Sequence, residues 1–164
     1  MALQSKLTVY VAIAGVLAMM GGIIYYASLG NEDLEKAEIE LTNFELIDVD
    51  DTNEQARFNV TFLVKNPSDI TFTVSVIEYN LYNNGVLLGS GKYSTEDVSM
   101  PGRASFFPNT EIPLNNIFVL NKADVEPEIF QSVTRNINPN FSAEGIITTQ
   151  TTWTTSEKEF KTGF

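Results

Sequence analysis

The sequence predicts an all-β fold: an antiparallel β-sandwich of about seven strands with one short helix, behind a single N-terminal transmembrane helix. Three observations predict it. An uncharged run of 23 residues, Leu7 to Leu29, is long enough for a helix to cross the ~30 Å hydrocarbon layer. Beyond it, apolar residues recur at every second position, most clearly at Phe58, Val60, Phe62 and Val64. Between such runs stand Asn66-Pro67-Ser68-Asp69 and Asn83-Asn84-Gly85, residue types that favour turns.

The anchor comes first. Tyr10 near one end of the run and Tyr25-Tyr26 near the other occupy places where interfacial aromatic residues belong. A cleaved signal sequence competes with this reading, but its apolar core would be shorter, and a cut after Ala27 would put bulky Tyr25 at the −3 position. An uncleaved signal anchor is therefore preferred. Lys6 and the amino terminus are the positive groups on the short side, whereas Asn31-Glu32-Asp33-Leu34-Glu35 opens the other. The positive-inside rule places residues 1–6 in the cytoplasm, the helix at 7–29 in the cell membrane, and the rest outside. Within the helix, Ala14, Ala18 and Gly22 repeat every four residues, flanked by Gly15 and Gly21. Such a face lets another membrane-spanning protein, or a second copy, approach closely, although Ala and Gly are also simply common in membrane helices.

Residues 30–38 read as an acidic stalk, and 39–164 as one domain. Ile39 to Val49 forms the first strand, and the Phe58 alternation the second, ended by Pro67, which lacks an N–H for the ladder. Ile70 to Tyr82 leads to the Asn84-Gly85 hairpin turn, and Val86-Leu87-Leu88 returns from it. Ala104 to Leu114 reads as an extended stretch interrupted by Pro108 and Pro113. Pro127 opens the helix, with Ile129, Phe130 and Val133 on its buried side and Asn136 to Pro139 stopping it. Phe141, Ala143, Ile147 and Trp153 share one parity in a Thr-rich strand, and Glu159 to Phe164 supplies the last.

Composition narrows the chemistry. The chain of 164 residues carries a net charge of −11 and has no cysteine and no histidine. A disulfide framework, a thiol nucleophile, a Ser-His-Asp triad and a His/Cys zinc site are excluded. Acidity argues against nucleic acid, which needs a basic face, and against electrostatic attraction to anionic lipid. No cofactor motif stands out. Gly85 to Lys92 mimics a phosphate loop, but the first Gly is misplaced and Tyr93 stands where Ser or Thr would hold magnesium. A hairpin strand ending in a flexible Gly89-Ser90-Gly91 turn is the structural alternative. Asp48, Asp50, Asp51 and Glu54 gather oxygen ligands of the kind calcium takes, at a spacing that fits no helical calcium loop; a solvated acidic turn competes. Nothing among 21 acids selects a catalytic carboxylate pair. Trp153 could be a sugar platform, but a core or rim tryptophan is favoured. Asn59-Val60-Thr61 and Asn140-Phe141-Ser142 are glycosylation sequons that agree with exposure outside the cell; Pro67 excludes Asn66.

Phe58 to Asn66-Pro67, followed by Tyr79-Asn80-Leu81, Asn84-Gly85 and a return strand closing at Gly89-Ser90-Gly91, resembles a known pattern. It is similar to the group 2 late embryogenesis abundant (LEA) family, whose domain is also called the water stress and hypersensitive response (WHy) domain. The specific match covers residues 56–91 and extends loosely over 39–150; the Thr-rich C-terminal third departs from it. The resemblance implies an Ig-like β-sandwich with one helix, no catalytic residues, and a role in stress tolerance or at membranes. The expectation is a non-enzymatic, membrane-anchored sandwich that protects or binds a neighbour. Two alternatives stand beside it: an accessory single-span subunit of a membrane complex, and an archaeal pilin-like filament subunit. Leu7 after Lys6 weakens the second, since pilin processing motifs usually place Gly or Ala there.

Overall fold

The computed structural model describes residues 2–95, 104–137 and 140–164, without the side chains of 2–5 and 27–31. In chain order the elements are α1 (Ala2–Leu34), β1 (Glu38–Asp50), β2 (Gln55–Asn66), β3 (Phe72–Asn83), β4 (Val86–Ser94), β5 (Ser105–Phe106), β6 (Thr110–Asn121), α2 (Pro127–Thr134), β7 (Phe141–Gln150) and β8 (Thr155–Gly163), with a 3₁₀ turn at Lys122–Asp124. Two sheets pack face to face. One has the order β1-β2-β6; the other runs β4-β3-β7-β8, with β5 added beside the start of β3. Every ladder is antiparallel. The all-β sandwich expected from the alternation is thus the observed fold.

Alternation decides which side chains meet between the sheets. Phe58, Val60, Phe62 and Val64 of β2 are buried and face Ile77, Tyr79 and Leu81 of β3 and Ala143 and Ile147 of β7 in one core. Aromatic rings dominate it. Phe44 stacks on Phe58 at 4.5 Å between centroids, and Phe62 meets Tyr79 edge-on at 4.8 Å. Phe72 stacks on Phe106 at 5.4 Å, which fixes the two-residue β5 against β3. Such ring pairs add about 0.5–1.5 kcal/mol each beyond their buried area.

An open edge strand invites pairing with other chains. Here both seams of the sandwich are stitched by side chains. The Asn116 amide of β6 donates to the Lys92 carbonyl of β4, and the Leu41 amide of β1 donates to the Thr162 hydroxyl of β8.

Several sequence expectations change. The helix does not stop at Leu29 but runs to Leu34, so residues 30–38 are not a stalk. Leu34 and Ala37 are fully buried in the core, and strand β1 begins at Glu38. No proline interrupts this segment, so the helix propagates, and the acids solvate its other side while Leu34 turns inward. The stretch 104–114 splits at Asn109, whose φ is 58°, and β6 then continues to Asn121, making eight strands. Pro113 sits exposed on β6, which is an edge strand and tolerates a missing donor. Gly89-Ser90-Gly91 is no flexible turn. It lies inside β4, where Gly89 (φ 150°) marks a register shift and Gly91 lies against the Tyr79 ring. Trp153 leaves the strand parity and is 82% exposed in the turn between β7 and β8, so it belongs to neither core nor rim packing. The short helix forms as expected, with Pro127 in its first turn, Phe130 and Val133 buried and Ile129 partly buried; it ends at Thr134, just before Asn136 (φ 53°), the start of the expected stop, whose residues 138–139 lie outside the described ones.

Candidate functional site

The feature that sets this chain apart from a plain sandwich is α1 and the way it enters the domain. Lys6–Tyr26 is long and apolar enough to cross a membrane, with a mean hydropathy of 2.2, and none of it is buried against the rest of the chain. A helix apolar on all sides has no water-facing side, so it needs an apolar surround from elsewhere. Twenty-one residues extend ~31 Å at 1.5 Å per residue, the thickness of the hydrocarbon layer. Ala14, Gly15, Ala18, Gly21 and Gly22 all lie on its exposed surface, and a Cβ added at any of the three glycines would meet nothing within 4 Å.

Past Tyr26 the same helix reaches the sandwich. Its last residue, Leu34, is a core residue, and a tight turn follows, closed by Lys36 N–H to Asp33 O and Ala37 N–H to Leu34 O. The Lys36 ammonium holds the Asp33 carboxylate at 2.6 Å, and that bond raises the lysine's pKa above its ordinary value. On the other side, Lys158 of β8 donates 2.7 Å to the Ala37 carbonyl. The junction is packed and hydrogen-bonded from two elements, and α1 contacts the sheets at β8. The sequence signal was present: Leu34 and Ala37 are apolar in an acidic segment, and Ile39 and Leu41 continue the buried series at strand spacing.

The motif turns are built with care. Asn66 is buried, and its side chain donates 2.8 Å to both the Ile70 and Phe106 carbonyls while accepting from the Ser68 amide (3.0 Å) and hydroxyl (2.6 Å). It therefore ties the β2–β3 turn, with exposed Pro67, to β5 across the sheets. Asn84 (φ 49°) and Gly85 (φ 81°) make the tight left-handed turn of a two-residue hairpin. A side chain the sequence did not flag, Asn116, faces inward and bonds Tyr79; it lies past Leu114, where the expected extended stretch ended.

The acidic loop does not assemble a calcium site. Asp48 is paired with Arg57, whose Nε donates 2.8 Å to it, and that bond holds the Asp48 carboxyl below its usual range. Asp50 accepts from the Thr52 and Asn53 amides and the Asn53 side chain, and these bonds lower its pKa too. Glu54 pairs with Lys122 at 2.9 Å. The carboxylates diverge to separate partners, and Asp51 is left exposed. Among the described residues no group of three acids, cysteines or histidines comes together for a metal. Of the sequons, Asn59 is half-buried in the middle of central strand β2, between Glu45 and Ile117, and Asn140 is exposed before β7.

Shallow grooves run over the outer face of β3, β4 and β7. Two of their acids are engaged, Glu78 with Lys92 at 2.9 Å and Glu144 with the Tyr82 hydroxyl and, at 3.3 Å, Lys161; Glu159 lines the second groove beside them. The Tyr82 hydrogen bond lowers the Glu144 carboxyl, and Glu144 raises the Tyr82 phenol.

No protein-family model matches the chain, and no curated protein is significantly similar to it. Solved structures do match in fold. A solution structure from Arabidopsis thaliana aligns over 77% of this chain and 80% of its own, at 16% identity and a TM-score of 0.52. A crystal structure of a protein from Archaeoglobus fulgidus covers 76% of this chain and 94% of its own, at 14% identity and a TM-score of 0.46. A solution structure described as a late embryogenesis abundant (LEA) protein covers 92% and 86%, at 12% identity and a TM-score of 0.39. At such identities the likeness is one of fold.

Proposed function

We propose that the chain is a non-catalytic, membrane-tethered β-sandwich of the LEA type, displayed outside the cytoplasm and acting by contact in stress protection. Its targets would be a neighbouring protein or the cell envelope. The observation that carries this reading is the burial of Leu34 in the sandwich core at the end of a helix apolar enough to span a bilayer. Span and domain are one continuous element, so the domain is held in a set stance near the membrane rather than swung on a stalk. The LEA assignment rests on the Asn66-Pro67 and Asn84-Gly85 motifs, which form the buried turn and the hairpin that the family pattern implies. The non-catalytic reading is supported by the pairing of two groove acids, Glu78 with Lys92 and Glu144 with Tyr82 and Lys161.

Protease added to intact cells, with alkaline extraction of the membranes, tests the reading. The expected result is loss of the domain outside and a helix-bearing stub that resists extraction. A domain protected in intact cells reverses the sidedness, and a chain released by alkali removes the anchor.

A second reading, an accessory subunit of a membrane complex, is favoured by the open small-residue face of Ala14, Ala18 and Gly22. Purification in gentle detergent separates the two: fixed stoichiometry with another protein supports the subunit, and a lone chain sinks it.

A further inference from the structure

Trp153 is the chain's only tryptophan, and at 82% exposure it is spent on no packing inside the fold. Tryptophan is a highly buried residue type, and its large apolar ring with one N–H suits a boundary between water and oil. The turn that presents it is closed and specific. The Thr151 amide donates 2.8 Å to the Thr154 carbonyl, and the Thr151 hydroxyl accepts from the Trp153 and Thr154 amides. The backbone that carries the ring is thus held at a tip.

The register shows where that tip lies. β1 starts, β2 ends, β3 starts, β7 ends and β8 starts at the one end of the sandwich that α1 enters. Gln150, the last residue before the Trp153 turn, pairs with Thr73 on one side of β3. Phe106 pairs with Phe72 on the other side, and the next residue, Phe107, is 60% exposed. Two exposed aromatic rings therefore flank the start of β3 at the helix-bearing end. Trp153 stands five residues before Lys158, which bonds Ala37, so the tip extends up to ~16 Å beyond that link at the strand rise. Along α1, Tyr26 lies eight residues before Leu34, ~12 Å at the helical rise. The two reaches are comparable.

We propose that Trp153 and Phe107 seat the domain on the bilayer that holds α1, entering its headgroup layer as one aromatic belt with Tyr25 and Tyr26. This rests on the membrane-tethered reading above. Belts of Trp and Tyr at the headgroup level are the usual anchors of spanning proteins. Here half of the belt comes from loops of the sandwich, so the domain would stand on three supports: the helix, the 151–154 turn and the 107–110 turn. The charge around the junction sets the lipid. Glu32, Asp33 and Asp69 all act on Lys36, and with Glu35, Glu38 and Glu40 the acids outnumber Lys36, Lys65 and Lys158 at this end. The surface fits zwitterionic or neutral headgroups and is repelled by anionic ones.

The single tryptophan makes the test direct. The full chain is reconstituted into phosphatidylcholine vesicles with and without a nitroxide-labelled headgroup, and tryptophan emission is read from the floated vesicles. The expected result is loss of most of the Trp153 emission to the nitroxide, protection from aqueous acrylamide, and a smaller loss when phosphatidylserine is added. A chain carrying both Trp153→Phe and Phe107→Trp moves the probe to the second turn and is expected to be quenched likewise. An unquenched probe at 107 overturns the two-turn seat. A floated chain whose Trp153 escapes the nitroxide and meets acrylamide freely overturns the proposal while leaving the anchor intact, whether or not a protein partner binds there. A chain that does not float overturns the anchor and this seat together.

Discussion

Asn116 of β6 reaches across the sandwich and donates a 2.9 Å hydrogen bond to the hydroxyl of Tyr79 on β3. The same amide also donates 3.0 Å to the Lys92 carbonyl of β4. One side chain thereby joins the sheets at a point where a buried phenol would otherwise lack a partner. Removing it is expected to cost more than a surface change. Asn116→Leu leaves Tyr79 unsatisfied and should lower the unfolding free energy by about 1–3 kcal/mol in urea titration of the detergent-solubilised chain. Combined with Tyr79→Phe, the loss should be less than additive, because the two side chains share one bond.

The Tyr79 phenol gives a pH signature. Burial pushes its pKa from 10.0 up to about 12, and the Asn116 hydrogen bond only partly offsets this. A raised folded pKa means that the native state holds the proton longer than the unfolded chain does. The stabilisation is complete below the unfolded value of 10.0 and is lost as pH climbs through about 12. Two units correspond to roughly 2–3 kcal/mol. The denaturation midpoint should therefore fall over this alkaline window more steeply for the wild-type chain than for Tyr79→Phe.

Asn66 carries four hydrogen bonds from a fully buried position. Asn66→Ala removes the Asn66 partner of the Phe106 carbonyl and the Ser68 amide and leaves the Ile70 carbonyl with the 3.4 Å bond from the Ser68 hydroxyl. We expect a loss of about 2–4 kcal/mol, with Asn66→Asp recovering only the acceptor half, by thermal unfolding in detergent.

Gly91 has no room for a side chain, because an added Cβ would lie 2.3 Å from Cζ of the Tyr79 ring. Gly91→Ala should destabilise the sandwich by about 1–3 kcal/mol as the ring is displaced from Asn116. Gly91→Ala with Tyr79→Leu, which removes the phenolic end, should recover part of the loss in the same unfolding measurement.

Calcium offers a negative control. The carboxylates of Asp48 and Glu54 are held by Arg57 and Lys122, and Asp50 caps its own turn. Added calcium is expected to leave the melting temperature unchanged, whereas Asp50→Ala lowers it with or without calcium. A calcium-dependent rise that Asp50→Ala abolishes would restore the metal reading.

Period-two alternation needs nothing beyond the chain, since successive side chains of a strand point to opposite faces. That is why Phe58, Val60, Phe62 and Val64 could be assigned to one buried face from their spacing, and why Asn84-Gly85 could be recognised as a hairpin from its tolerance of positive φ. The apolar run from Leu7 and the Pro127-headed helix were legible for the same local reason. Other residues took their roles from partners far away in sequence. Asn116 carries no signal of its own until Tyr79, 37 residues earlier, is placed opposite it. Leu34 reads as part of a stalk until the sheets supply a core for it to enter. Gly91 reads as a flexible turn until the Tyr79 ring occupies the space above it. Trp153 reads as core by parity, yet the Thr151–Thr154 turn carries it out to the end where α1 joins. Local sequence thus determined the elements, because dihedral preference and side-chain period are properties of short segments. Only the tertiary structure decided the hydrogen-bond partners, the rooting of α1 in the core and the exposed aromatic tip, because these depend on which distant surfaces the fold brings together.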